Sequence, residues 1–174
     1  MTGRFAPHLP LDQIRDGERL DLVADDEERA AIARRLGLEA LDRFEAHVSL
    51  SKTGEIVRVA GRLSASLAQS CVVTGDAVVA HLDEPFELIF MPEPPVSGPE
   101  EEIELGHSDL DVVFHDGATI DLGTAIADTL ALSLDPYPRS AGANAALKEA
   151  GVMTGEQASP FAMLAQLKKG GDET

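Results

Sequence analysis

Tryptophan is absent from this chain, and tyrosine and cysteine occur once each. Six Phe are the only other aromatic residues, so the core has to be aliphatic. A surface that stacks nucleobases on exposed rings has little to build from. The single cysteine, Cys71, excludes an intramolecular disulfide. Its isolation also excludes a cysteine-rich metal site. Positive charge is scarce: 14 Lys and Arg face 31 Asp and Glu, for a formal net charge of -17. Such a chain repels nucleic acid at long range and attracts basic proteins. The densest basic spots, Arg34-Arg35 and Lys168-Lys169, are too small to form a phosphate-binding patch. No stretch approaches the roughly 20 apolar residues of a membrane helix. The N-terminal residues carry no apolar run of the secretory kind. A cytoplasmic protein with no membrane partner is the expectation.

What is present suits a folded domain. The apolar fraction of 44% is ordinary for a globular chain, and 174 residues fit one domain with a tail. Residues 4–10 read as a short strand interrupted by two prolines, and residues 20–23 as another. Asp25 is placed to cap a helix, with Glu28 completing a capping box. That helix carries Ala30, Ile32, Ala33 and Leu36, and Gly37 ends it.

The β signal is clearest in the middle. Residues 44–51 read as a strand, turned by Ser51-Lys52-Thr53-Gly54. From Val57 the odd positions are Val57, Val59, Gly61, Leu63, Ala65 and Leu67, with Arg58, Arg62, Ser64 and Ser66 between them. This period of two describes a long strand with one buried face, and its register carries Gln69 and Cys71 inward. After a turn at Thr74-Gly75-Asp76, Val78, Ala80, Leu82, Phe86, Leu88 and Phe90 share one face. Glu84 and Pro85 interrupt it, as a bulge or an edge position would allow.

Residues 91–106 hold four prolines and the run Glu100-Glu101-Glu102, a solvated acidic loop. A strand resumes at 111–115, and Asp116-Gly117 turns the chain. A helix starts near Asp121 with Leu122, Ile126, Thr129, Leu130 and Leu134 on one face, and Pro136 and Pro138 end it. Residues 143–149 suit a helix. Ser159-Pro160 starts a last short one, with Phe161, Leu164 and Leu167 as its apolar stripe. The expected organisation is one α+β domain over residues 1–139. It is built on a curled, partly barrel-like antiparallel meander with packed helices. A tail follows over residues 140–174, helical near 160–169.

Chemical motifs are few. There is no phosphate-binding glycine loop, no dinucleotide fingerprint and no nucleophile elbow. Buried in a strand, Cys71 acts as a small apolar group. His107-x-Asp109-x-Asp111, with His115-Asp116 nearby, could share a strand face around a divalent ion, though the spacing is common and reads equally as a polar strand. Asp121 is a helix cap, and Tyr137 a packed corner between prolines. No catalytic residue, cofactor, metal or small-molecule substrate is expected.

The order of several pieces is informative. These are Val59-Ala60-Gly61-Arg62-Leu63, Gln69-Ser70-Cys71-Val72-Val73-Thr74, Ile120-Asp121-Leu122, Asp135-Pro136-Tyr137-Pro138-Arg139, and Ser159 to Lys168. Together they resemble the YceD family of large ribosomal RNA subunit accumulation proteins of bacteria and plastids, in its alphaproteobacterial form. The resemblance implies a non-enzymatic role in accumulation of 23S ribosomal RNA. Many members carry Cys-x-x-Cys where this chain has Cys71-Val72-Val73-Thr74, and some carry further cysteines downstream. Here position 74 is Thr and no cysteine follows Pro138, so a metal role of the family does not carry over. Cys71, Thr74, Asp121, Asp135, Pro136, Tyr137, Pro138, Arg139, Pro160, Phe161 and Leu164 become the family-motif residues expected at a partner surface. The partner expected is a basic ribosomal protein or a precursor ribosomal particle, with ribosomal RNA met directly or indirectly. The rival readings are a direct RNA-binding module using Arg58 and Arg62, and a metal-dependent enzyme using His107, Asp109 and Asp111.

Overall fold

The computed structural model describes residues 2–5, 8–93 and 111–152. The expected helix near 160–169 and most of the acidic loop, including Glu100 to Glu102, lie outside them, as do Pro160, Phe161 and Leu164. Eight strands and three helices form in the order β1 (Thr2–Arg4), β2 (His8–Pro10), β3 (Arg19–Val23), α1 (Asp26–Leu36), β4 (Ala40–Thr53), β5 (Ile56–Ser70), β6 (Ala77–Pro92), β7 (Val112–His115), β8 (Thr119–Asp121), α2 (Leu122–Ser133) and α3 (Ala143–Glu149). By contacts the chain divides into two units. The first is Met1–Gln69 with Val79–Pro136, and the second is Ser70–Val78 with Tyr137–Thr174.

The first unit is built on the long strands. β3 to β6 follow one another across a six-stranded sheet in the order β1-β3-β4-β5-β6-β7. β4 and β5 pair antiparallel from Thr53↔Ile56 to Ala40↔Ala68, turning at Gly54 in the left-handed region, φ 64°. The predicted alternation is real. Val57, Val59, Leu63, Ala65 and Leu67 are buried on β5, and Phe44, Ala46, Val48 and Leu50 on β4. α1 carries the expected capping box: Asp25 Oδ1 accepts the Glu28 amide at 2.9 Å, and the Glu28 carboxylate accepts the Asp25 amide at 3.0 Å. Gly37 closes it at φ 66°. α2 buries Leu122, Ile126 and Leu130 completely in the same apolar cluster as the sheet face.

Three expectations are corrected. The sheet is not a closed or partly barrel-like meander, because its two edges are β1 and β7 and these do not meet. Nor is it purely antiparallel: β1 runs parallel to β3, and β7 parallel to β6. The segment read as one strand over residues 4–10 is two strands in two sheets. β1 joins the large sheet, while β2 pairs antiparallel with β8. That pairing spans more than a hundred residues of chain, which no local pattern encodes.

β7 reaches only Ile89 to Pro92 of β6, so Pro85 lies on a stretch of β6 that β7 does not cover. The Ile89 and Glu93 amides point to the β7 side, donating to the Asp111 and His115 carbonyls. Pro85 shares their parity, so its missing N–H falls on an edge that no described strand covers and costs no ladder bond there.

Gly61 of β5 leaves no room for a side chain against β4. A Cβ there would lie 2.3 Å from the His47 carbonyl oxygen and 2.9 Å from Val48 Cγ1. Backbone cannot yield as a flexible side chain can. We expect Gly61→Ala to lower unfolding stability by about 1–3 kcal/mol, read as a shift of the urea midpoint at unchanged slope.

Candidate functional site

The motif residues Cys71, Thr74 and Pro138 come together in the second unit, where the 70–78 turn meets the segment after Tyr137. The turn is held by its own backbone. The Cys71 amide donates to the Asp76 carbonyl at 2.7 Å, and the Gly75 amide to the Cys71 carbonyl at 2.9 Å. Gly75 occupies the left-handed region, φ 76°. The Val72 amide donates to the Pro138 carbonyl at 2.9 Å, stitching the two segments together.

Cys71 is 4% exposed. Its Sγ receives the Ser140 amide at 3.2 Å and the Thr74 amide at 3.5 Å. These donors, Ser140 foremost, stabilise the thiolate and pull the thiol from 9.0 down to about 6, against the opposing effect of burial. Beside the sulfur lies a small polar ring. The Thr74 hydroxyl donates to Asp76 Oδ2 at 2.6 Å and lies 3.1 Å from the Ser140 hydroxyl, which also donates to Asp76 Oδ2 at 3.4 Å. Asp76 and Ser140 were not among the expected site residues. Their signal was weak: Asp76 looked like part of a turn, and Ser140 acts on the sulfur through its backbone.

One sulfur, two hydroxyls and a carboxylate do not fit a structural zinc, which takes thiolates and imidazoles. The ring therefore ties two segments together and offers no ligand set for the metal that a Cys-x-x-Cys would hold.

The other expected residues disperse. Asp121 caps α2, accepting the Thr124 amide at 3.0 Å and its hydroxyl at 2.7 Å. The Asp135 carbonyl accepts the half-buried Gln69 amide at 2.9 Å. Tyr137 is 71% exposed, so it is no packed corner. Pro136 and Arg139 are exposed and Pro138 is buried. His107 and Asp109 lie outside the described residues. Both nitrogens of buried His115 are engaged. Nε2 lies 2.9 Å from the Glu55 carbonyl and so carries the proton, while Nδ1 accepts the Gly117 amide at 3.1 Å. Neither is free to ligate a metal, and among the described residues no group of three or more His, Cys, Asp or Glu is placed to hold one.

A sequence model of the large ribosomal RNA subunit accumulation protein YceD matches residues 59–168, more than half of the 174. The chain belongs to the YceD family. The match runs from β5 through the Cys71 turn and the segment after Pro136. Searches of curated proteins and of solved structures return no match. YceD membership implies a role in accumulation of large-subunit ribosomal RNA, and so in ribosome biogenesis, and YceD is not a known family of enzymes. Among the described residues no helix is long and apolar enough to cross a membrane.

The thiol of this YceD protein provides a direct test. Thiolate absorbance at 240 nm should appear with a midpoint near pH 6. Ser140→Pro, which removes the principal donor, should move the midpoint back toward 9.0. Because the folded chain releases this proton more readily than the unfolded one, the stability gained from Cys71 grows as pH rises from about 6 to 9. It is lost as pH falls through about 6. Unfolding of Cys71→Ala compared with the parent across that window measures it; a constant difference would contradict the assignment.

Proposed function

We propose that the protein is a non-enzymatic adaptor that promotes 23S ribosomal RNA accumulation by engaging a basic ribosomal protein or a precursor particle that presents one. Membership of the family supports a role in large-subunit ribosomal RNA accumulation. The observation that favours a protein partner over RNA is where the cations go. Arg58 and Arg62, on the solvent face of β5, are the residues a phosphate-binding sheet would use. Arg58 pairs with Glu87, and Arg62 lies 2.9 Å from Asp83. Arg43 pairs with Glu45, Arg29 with Asp26, and Arg35 with Asp128 at 2.7 Å. Arg43, Arg58 and Arg62 of the sheet are thus neutralised by neighbouring carboxylates, and the net charge of -17 is available to act on a partner. The acidic run Glu100-Glu101-Glu102 adds to that field, and the apolar stripe of Phe161 and Leu164 is a second docking element in this reading.

The experiment is an affinity capture of the tagged protein from lysate at low salt, with and without nuclease. Ribosomal proteins should be recovered in both arms, and recovery should fall as salt is raised. Capture that disappears on nuclease treatment, together with filter binding to 23S RNA, would overturn the adaptor reading in favour of direct RNA contact.

A further inference from the structure

The first unit contains a cavity of about 440 Å³ that plays no part in the Cys71 cluster. One wall is β7, from Asp111 to Asp116. The other is α2, through Thr124, Ala125, Asp128, Thr129 and Leu132. Leu88, Phe90 and Ile120 add apolar surface. On α2, the residues Ala125, Asp128, Thr129 and Leu132 follow the three- and four-residue spacing of a single helix face. Ala125 borders the core filled by Leu122, Ile126 and Leu130, and Asp128, Thr129 and Leu132 carry the stripe away from it. Leu132 is 84% exposed, an apolar side chain on the stripe that nothing in the fold requires.

The β7 wall is a sheet edge. In a parallel ladder alternate residues bond to a given neighbour. Asp111 and His115 present their carbonyls to β6, so Val113 shares that side while Val112 and Phe114 direct their amide and carbonyl groups outward. β7 ends the sheet order, and no described strand pairs on its outer side. Phe114 is 56% exposed. An edge strand facing a helix across an apolar groove can take an extended segment as an added strand, with alternate side chains entering the groove.

The charge of the lining selects the occupant. Among the described residues, Asp111, Asp116, Asp121 and Asp128 line the cavity and no Lys or Arg does. Arg35 offsets Asp128 from α1. Asp116 accepts the Ala118 and Thr119 amides, which hold its carboxyl below the usual range and keep it ionised. Another copy of this acidic chain and RNA would both be repelled here.

We propose that the groove between β7 and α2 binds an extended, lysine- and arginine-bearing segment of a partner protein, which adds to the β7 edge and inserts an apolar side chain beside Leu132. This rests on the adaptor reading above and gives it a surface.

The test uses fluorescence anisotropy in 150 mM salt, about one Debye length of 8 Å. The probe is a labelled peptide, Lys-Arg-Val-Lys-Leu-Arg-Thr-Lys, compared with the same peptide N-methylated at alternate residues. Leu132→Asp adds negative charge, so nonspecific attraction to the cationic probe would increase. Loss of binding therefore reports the apolar contact. Val79→Asp is the control, with identical charge on a residue 70% exposed at the far end of β6. We expect Leu132→Asp and N-methylation each to weaken binding about tenfold or more, and Val79→Asp to change it less than about twofold. Equal affinities for the two variants, equal binding of the N-methylated probe, or no binding by the parent protein would overturn the assignment. Capture from lysate separates the two readings. Recovery of ribosomal proteins by the Leu132→Asp variant at the parent's level defeats the groove and leaves the adaptor standing. Peptide binding in the groove without recovery of any ribosomal protein does the reverse.

Discussion

One aliphatic face of three long strands has to be covered, and the rest of the first unit follows from how that is done. With no tryptophan to fill volume, the face is made of Val, Leu and Ala with Phe44 and Phe90, each large side chain contributing about 1.5–3 kcal/mol when fully buried. α2 supplies Leu122, Ile126 and Leu130 to the same cluster, and Phe5 and Phe44 stack there with ring centres 4.2 Å apart. Covering one face leaves the other to water. On that face the strands carry arginines and carboxylates in alternation with the core residues. The division of labour that builds the core therefore also decides which charges meet.

Those charges meet each other. Arg58 with Glu87 and Arg62 with Asp83 join neighbouring strands β5 and β6. Exposed pairs of this kind contribute little to stability. Their larger effect is on the outward field, because cations consumed locally are not offered to phosphate. In a protein of the ribosomal RNA accumulation family, Arg58 and Arg62 are thus engaged with carboxylates of the neighbouring strand. The buried sulfur of Cys71 follows a similar logic on a smaller scale. Two backbone amides, of Thr74 and Ser140, stabilise it.

Much of this was legible in the sequence, for identifiable reasons. Period-two alternation located β4, β5 and β6 because each is long enough for the pattern to repeat. The Asp25/Glu28 capping box and Gly37 bounded α1 because side chains perform the capping. Asp121 was placed correctly for the same reason. β1, β2 and β8 have three residues each, too few to show a period, and their partners are remote in sequence. The parallel edges were invisible because strand direction is a property of the connections. At the Cys71 turn, Thr74 was found through its place in the motif, whereas the donors to the sulfur are backbone amides, a group every residue except proline has. The groove between β7 and α2 was missed because the second stripe on α2 is short and mostly of small or polar residues.

The stretch of β6 that no described strand covers has a further consequence. A bare strand edge is a template on which other chains can polymerise, and ribosome assembly takes place amid many unfolded and half-folded chains. Along that edge β6 carries Asp83, Glu84, Pro85 and Glu87 in close succession. Proline denies an incoming strand one of its hydrogen bonds, and charged side chains beside it disfavour the docking of another strand. The irregularity that interrupts the alternation thus makes this stretch of β6 a poor template for pairing.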